Sequence, residues 1–195
     1  KDAVTHRESI QRIAYHDTAS TGIEIEELRE EIYANFYRIQ AENGKPTIIL
    51  LGGSGGRFQT ETALYLAGKG YPVLDLMYFG QDGLPKRLER VPLEYLDGAV
   101  QWVRQRRMAA SPAVVLMGRS RGAEYALQYA AKFDKIQAVI SVVGSDLVWS
   151  AKSYFRSSWT LDGKDLPFAR GTLKQALGYL RKSNGTGQSQ LSYFE

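Results

Sequence analysis

The 195-residue chain contains no cysteine and only two histidines, His6 and His16. The first absence excludes disulfides, thiolate metal sites and a cysteine nucleophile, without fixing a compartment. With so few histidines as well, no zinc or other metal site is expected, and no cofactor is implied. No apolar run approaches the length of a membrane span. No signal-peptide h-region opens the chain, so the compartment stays open, with the cytoplasm as first expectation. Charge is not concentrated in one sign either: 25 Lys and Arg face 21 Asp and Glu, for a net +4. The only dense basic group, Arg104, Arg106 and Arg107, falls near the end of a predicted helix, where cations suit the dipole. No recognition motif accompanies it, so a nucleic-acid partner is not expected. Nucleotide fingerprints are missing too. Gly53-Ser54-Gly55-Gly56-Arg57-Phe58 lacks the last glycine of G-x-G-x-x-G, and there is no Walker lysine.

What remains is a soluble-type composition, 44% hydrophobic and 24% charged, over a length that suits one domain. Residues 1–22 read as a polar N-terminal arm and residues 23–195 as a single domain. Residues 23–39 are ambiguous: Ile25, Leu28, Ile32, Phe36 and Ile39 fit helical spacing, while the run from Ile32 to Ile39 also suits a strand. After the turn Glu42-Asn43-Gly44-Lys45-Pro46, strands and helices alternate. Strands are expected over 47–51, 72–77, 113–117 and 136–143, and helices over about 59–68, 92–107 and 122–133. The strands are short and continuously apolar, as buried parallel strands are. Repeated β-α units of this kind imply a three-layer α/β fold, a mostly parallel sheet with helices on both faces.

Two strand–turn–helix junctions carry G-x-S-x-G. Gly118-Arg119-Ser120-Arg121-Gly122 follows the strand ending at Met117 and leads into an alanine-rich helix. Gly52-Gly53-Ser54-Gly55-Gly56 follows the strand ending at Leu51. A nucleophile elbow holds its serine in a strained conformation, and a run of four glycines is too pliable to maintain one. A glycine-rich loop is better suited to offering backbone N–H groups to an anion. Ser120 is therefore the candidate nucleophile. The N–H groups of Arg121 and Ser54 are the candidate oxyanion donors, and Gly53 and Gly55 are expected to lie against the substrate.

Between residues 47 and 168 the chain resembles the C-terminal catalytic domain of the bile acid-CoA:amino acid N-acyltransferase and acyl-CoA thioesterase family, within the α/β-hydrolase superfamily. The runs that carry the resemblance are IILLGGSGG, ALYLAGKGYPVLDLMYFGQDGLPKRLERVPLEYLDGAVQWV, VVLMGRSRGAEYALQYAAKF and AVISVVGSDLVW. The stretch from Tyr78-Phe79 through Leu84-Pro85 to Pro92-Leu93-Glu94-Tyr95 is the most specific to it. The resemblance implies thioester cleavage or acyl transfer, with Ser120 attacking the carbonyl of a small-molecule acyl thioester or ester. It also implies that residues 23–39 are strands opening the sheet.

A serine needs a base and an orienting acid, and the family's order is Ser, then Asp, then His. Both histidines here precede Ser120. Asp146 is a weak alternative for the acid, with a turn-capping role favoured. The family's Asp-bearing strand would begin about where Ser192-Tyr193-Phe194-Glu195 stand. The expectation is thus an incomplete domain, truncated after the strand that follows the elbow, whose uncovered sheet edge meets a missing C-terminal segment or a second copy. Arg119 and Arg121 are candidates for binding phosphates or a carboxylate, or else solvated positions. Trp149, Tyr154, Phe155, Trp159 and Leu161 are candidates for an acyl pocket under a lid-like segment at about 145–190, or else packing residues; Leu173, Leu177 and Leu180 extend that segment. A catalytically inactive acyl-binding module and a dienelactone-hydrolase-type carboxylesterase are the alternative functions.

Overall fold

The computed structural model describes residues 22–39, 44–106 and 113–170. His6, His16 and the run Leu173, Leu177, Leu180 lie outside them.

The chain opens with two antiparallel strands, β1 (Ile23–Leu28) and β2 (Ala34–Ile39). The helical spacing across 23–39 is thereby corrected. It pooled two six-residue strands with the turn between them, whose Ile32 is buried with Ala34 and Phe36. Then follow β3 (Thr47–Leu51), α1 (Thr60–Gly68), β4 (Val73–Leu76), the two-residue β5 (Val91–Pro92) and α2 (Leu93–Gln105). Next come β6 (Val114–Arg119), α3 (Arg121–Ala130) and β7 (Ala138–Val142). The main sheet has the order β1-β2-β4-β3-β6-β7, parallel from β4 to β7 and antiparallel at β1 and β2.

Every residue of β3 is buried, and its side chains divide between two layers. Ile49 and Leu51 join the larger core with Leu96 and Val100 of α2 and Tyr125 and Tyr129 of α3. Ile48 and Leu50 point the other way, to Ala63, Leu64 and Ala67 of α1. A strand buried on both faces needs an unbroken apolar run, and each such side chain contributes roughly 1.5–3 kcal/mol. At the other extreme, β7 is the outer strand on its side among the described residues. Its Ile140 is 44% exposed and Val142 37%.

A second, three-stranded sheet pairs β5 with β8 (Trp159–Leu161) and β8 with β9 (Lys164–Asp165). Residues 159–165 of the expected 145–190 segment belong to this sheet. It is fastened below by Trp159, fully buried and stacked on Tyr125 at 4.5 Å between ring centroids. Among the described residues no helix is long and apolar enough to cross a membrane.

Candidate active site

β3 and β6 are parallel neighbours, and Leu51 lies opposite Gly118 in the register. The loops that leave their carboxyl ends are therefore adjacent, which is where open α/β sheets place their ligands. Both G-x-S-x-G turns emerge at this edge.

Ser120 stands between β6 and α3 with φ 53° and ψ −118°. A non-glycine residue holds such a conformation at a cost of about 1–3 kcal/mol, so the surroundings must enforce it. Two glycines do so by letting backbones touch. A Cβ on Gly118 would fall 2.3 Å from the Gly122 carbonyl oxygen, and one on Gly122 2.2 Å from that of Leu51. The start of α3 thus rests directly on β6 and on the end of β3. The Ser120 N–H donates to the Val142 carbonyl at 2.9 Å, fixing the turn to β7.

The 52–56 loop runs beside this turn. A Cβ built on Gly53 would be 3.4 Å from the Ser120 Cβ and 3.9 Å from its Oγ, which is ordinary contact. The loop is anchored from β4 and just beyond it. The Tyr78 hydroxyl donates to the Gly52 carbonyl. The Gln59 N–H, at the loop's exit into α1, donates to Asp75 Oδ2 at 2.6 Å. Asp75 is buried, its Oδ1 has no partner among the described residues, and burial pushes its pKa up to about 7 against the lowering effect of the Gln59 N–H.

Ser54 and Ser120 face a common cavity of about 370 Å³, bounded also by Trp149, Lys152 and Tyr154. Among the described residues, neither the Arg121 nor the Ser54 amide donates to a backbone carbonyl. Gly55 is exposed, with open space around it. Arg119 and Asp146 are exposed and form no part of the cavity wall; the Asp146 carbonyl accepts from the Gln128 side chain at 3.2 Å.

Arg121 corrects both alternatives given for it. Its side chain is neither solvated nor free to meet an anion. The guanidinium pairs with Glu124 at 2.8 Å and donates to the Trp149 carbonyl at 3.1 Å and to the Ser158 hydroxyl. Glu124 is 1% exposed. Its Oε1 accepts from the Trp149 N–H at 3.0 Å and from Trp159 Nε1 at 2.7 Å. Burial raises the Glu124 pKa while Arg121 and these two donors oppose the rise. The pair ties the first turn of α3 to the 149–159 segment. Sequence reasoning missed Glu124; the only local signal was its position three residues after Arg121. Of the aromatic candidates, Trp149 and Tyr154 reach the cavity, Trp159 and Leu161 pack in or against the core, and Phe155 is 78% exposed.

Residues 91–184 match the family described as BAAT / Acyl-CoA thioester hydrolase C terminal. Over 100 residues the chain is 38% identical to acyl-coenzyme A thioesterase 1 of Mus musculus, covering 51% of this chain and 24% of that protein. It is 35% identical over 101 residues to the bile acid-CoA:amino acid N-acyltransferase of the same species, covering 52% and 24%. The chain thus spans about a quarter of the length of the curated relatives it matches. Among solved structures, a dienelactone hydrolase from Anabaena variabilis superimposes with a TM-score of 0.51 at 17% identity, over 63% of this chain and 64% of that one. The α/β hydrolase MGS-M1 from a deep-sea metagenome library gives 0.51 at 19% identity, over 66% and 60%. These structural likenesses show the fold, an α/β hydrolase. Over about half of its length, the chain fits the C-terminal domain of the bile acid-CoA:amino acid N-acyltransferase and acyl-CoA thioester hydrolase family.

Proposed function

We propose that this chain carries the nucleophile half of a serine hydrolase for acyl thioesters. Ser120 Oγ attacks the thioester carbonyl carbon, its proton passing to a base outside the described residues. The oxyanion that forms accepts from the N–H groups of Arg121 and Ser54. The C–S bond then breaks, the thiolate takes up the proton and leaves as a thiol. Water, or an amine in the acyl-transfer variant, releases the acyl group from Ser120. The observation that carries this proposal is the left-handed φ of Ser120 at a strand–helix junction, with the glycine loop in contact beside it. The family match over residues 91–184 supplies the thioester.

A fluorophosphonate should label the protein stoichiometrically at Ser120, and Ser120→Ala should abolish the label. The variant should also lower thioester kcat by at least about 10³-fold, as removal of a nucleophile does. Absence of both label and turnover would sink the proposal. Matched thioester and oxoester substrates separate it from a dienelactone-hydrolase-type carboxylesterase, which would prefer the oxoester. The alternative reading is an acyl-binding module without turnover. It predicts acyl-CoA binding with neither labelling nor turnover.

A further inference from the structure

We propose that Asp75 is a positioning residue for the reaction at Ser120, acting through Gln59 on the glycine loop that carries the Ser54 N–H; this deepens the thioesterase proposal and rests on it. The strand register sets Asp75 of β4 between Leu50 of β3 and Asn35 of β2. Asp75 shares a face with Val73, in the layer formed by Ile48, Leu50, Ala63 and Leu64. At 1% exposure this is apolar interior, where a carboxyl costs free energy unless its oxygens are hydrogen-bonded. Oδ2 accepts from the Gln59 N–H at 2.6 Å, while Oδ1 has no partner among the described residues. An under-satisfied buried group of this kind points to a task beyond packing.

The task follows from what Gln59 holds. Gln59 opens α1, yet its side chain makes no cap to that helix. Its Nε2 turns back instead and donates to the Arg57 carbonyl at 3.0 Å. That nitrogen and that carbonyl oxygen each lie 2.9 Å from the place a Cβ on Gly52 would take. The exit of the loop thus presses on its entrance. One residue on, Gly53 runs against the Ser120 side chain. Within the loop the Gly56 N–H reaches the Gly53 carbonyl only at 3.4 Å. Glycine backbone is pliable, so the anchors at Gly52 and Gln59 decide where the Ser54 N–H points.

The strength of this anchor depends on the charge Asp75 carries. An N–H bond to a carboxylate is roughly twice as strong as one to a neutral carbonyl. Burial lifts the Asp75 pKa to about 7, opposed by the Gln59 N–H, so both forms are populated near neutral pH. The elements packed against Asp75 bring other titratable groups: Tyr37 on its face of β2, Arg57 from the loop, and Glu61 and Tyr65 from α1, while β3 brings none. Arg29 lies beyond Asn35 and donates to its Oδ1 at 2.8 Å. Arg57, Glu61 and Tyr65 are exposed to solvent, and burial rather than any of these charges sets the Asp75 pKa.

Amide spectra of the full chain, recorded by proton–nitrogen NMR from pH 5 to 9, test the linkage. Expected is a Gln59 amide proton that titrates with a midpoint of about 7, with the Gly53 and Ser54 amides following at the same midpoint. In Asp75→Asn all three should be flat. In Gln59→Ala the amide at position 59 should still titrate while Gly53 and Ser54 stay flat. A Gln59 titration that Gly53 and Ser54 do not share overturns the proposal and leaves Asp75 as a helix cap. So does the absence of any titration. Fluorophosphonate labelling supplies the functional readout. The catalytic base is common to wild type and Asp75→Asn, so its own titration cancels in the ratio of their labelling rates. That ratio should stay near unity at pH 5.5 and rise at least about threefold by pH 8.5, as the Ser54 donor is drawn into place. A ratio that is flat with pH overturns the proposal. Coupled amide titration in a protein that never labels would retain the linkage of Asp75 to the loop and reject the hydrolase. Labelling at Ser120 with a flat ratio and unlinked amides would do the reverse.

Discussion

A methyl group on Gly122 would lie 2.2 Å from the Leu51 carbonyl oxygen and 2.3 Å from that of Gly52. Neither neighbour is a side chain that can swing away, so α3 itself would have to back off the sheet. Gly122→Ala is expected to destabilise the fold by about 3 kcal/mol or more, measured by urea denaturation. Gly55→Ala, with nothing within 4 Å of the added carbon, should shift the midpoint little. Asp75 offers a different test, through pH. Its folded pKa, pushed up to about 7 from an ordinary 3.8, means the folded chain holds this proton more tightly than the unfolded one. The corresponding stability is fully present below about pH 4 and is lost as pH rises through 7. Relative to wild type, Asp75→Asn should therefore gain stability between pH 4 and 8, by at most about 4 kcal/mol. A difference that stays flat across that range would contradict the raised pKa.

The first turn of α3 and the 149–159 segment are joined by a buried ion pair rather than by apolar packing alone. Removing one charge strands the other. Glu124→Gln leaves the Arg121 guanidinium uncompensated and should cost about 3–5 kcal/mol. Arg121→Met combined with Glu124→Gln, whose amide oxygen still accepts from the two tryptophan donors, should recover much of that loss, and a double-mutant cycle by chemical denaturation reads the coupling. This element-level contact also marks where the sequence stopped being informative. Strands β3, β4 and β6 and helices α1 to α3 were legible because burial on both faces demands continuous Val, Ile and Leu runs, and because glycine and proline punctuate their ends. The elbow was legible for the same reason: only glycine tolerates the backbone contacts at 118 and 122. The small sheet was not, since strands of two and three residues carry no period. Nor was the role of Glu124, whose tryptophan partners lie 25 and 35 residues away. The inward path of the Arg121 side chain was not legible either, because a sequence does not say which way a side chain leaves the first turn of a helix. Asp75 is legible as a carboxylate inside an apolar run.

Across the whole molecule, protection grades outward from the middle of the main sheet. β3 is buried throughout and hydrogen-bonded between β4 and β6, whereas β7 is paired on one side among the described residues and largely exposed. Native-state hydrogen exchange should find the slowest amides in β3 and β6 and markedly faster exchange in β7, by orders of magnitude in protection factor. Equal protection along the sheet would mean that another element covers β7 in solution. Ionic strength divides the molecule along another line. Ser120 is seated by backbone pressed on backbone at Gly118 and Gly122, and dissolved ions do not screen such contact. The Arg38–Glu24 pair of β1 and β2, by contrast, is partly exposed to solvent, where the Debye length at physiological salt is only about 8 Å. Raising salt should therefore leave the rate of fluorophosphonate labelling flat while weakening the strand-to-strand ion pair, so that reactivity and the sheet's open edge answer to different properties of the same buffer.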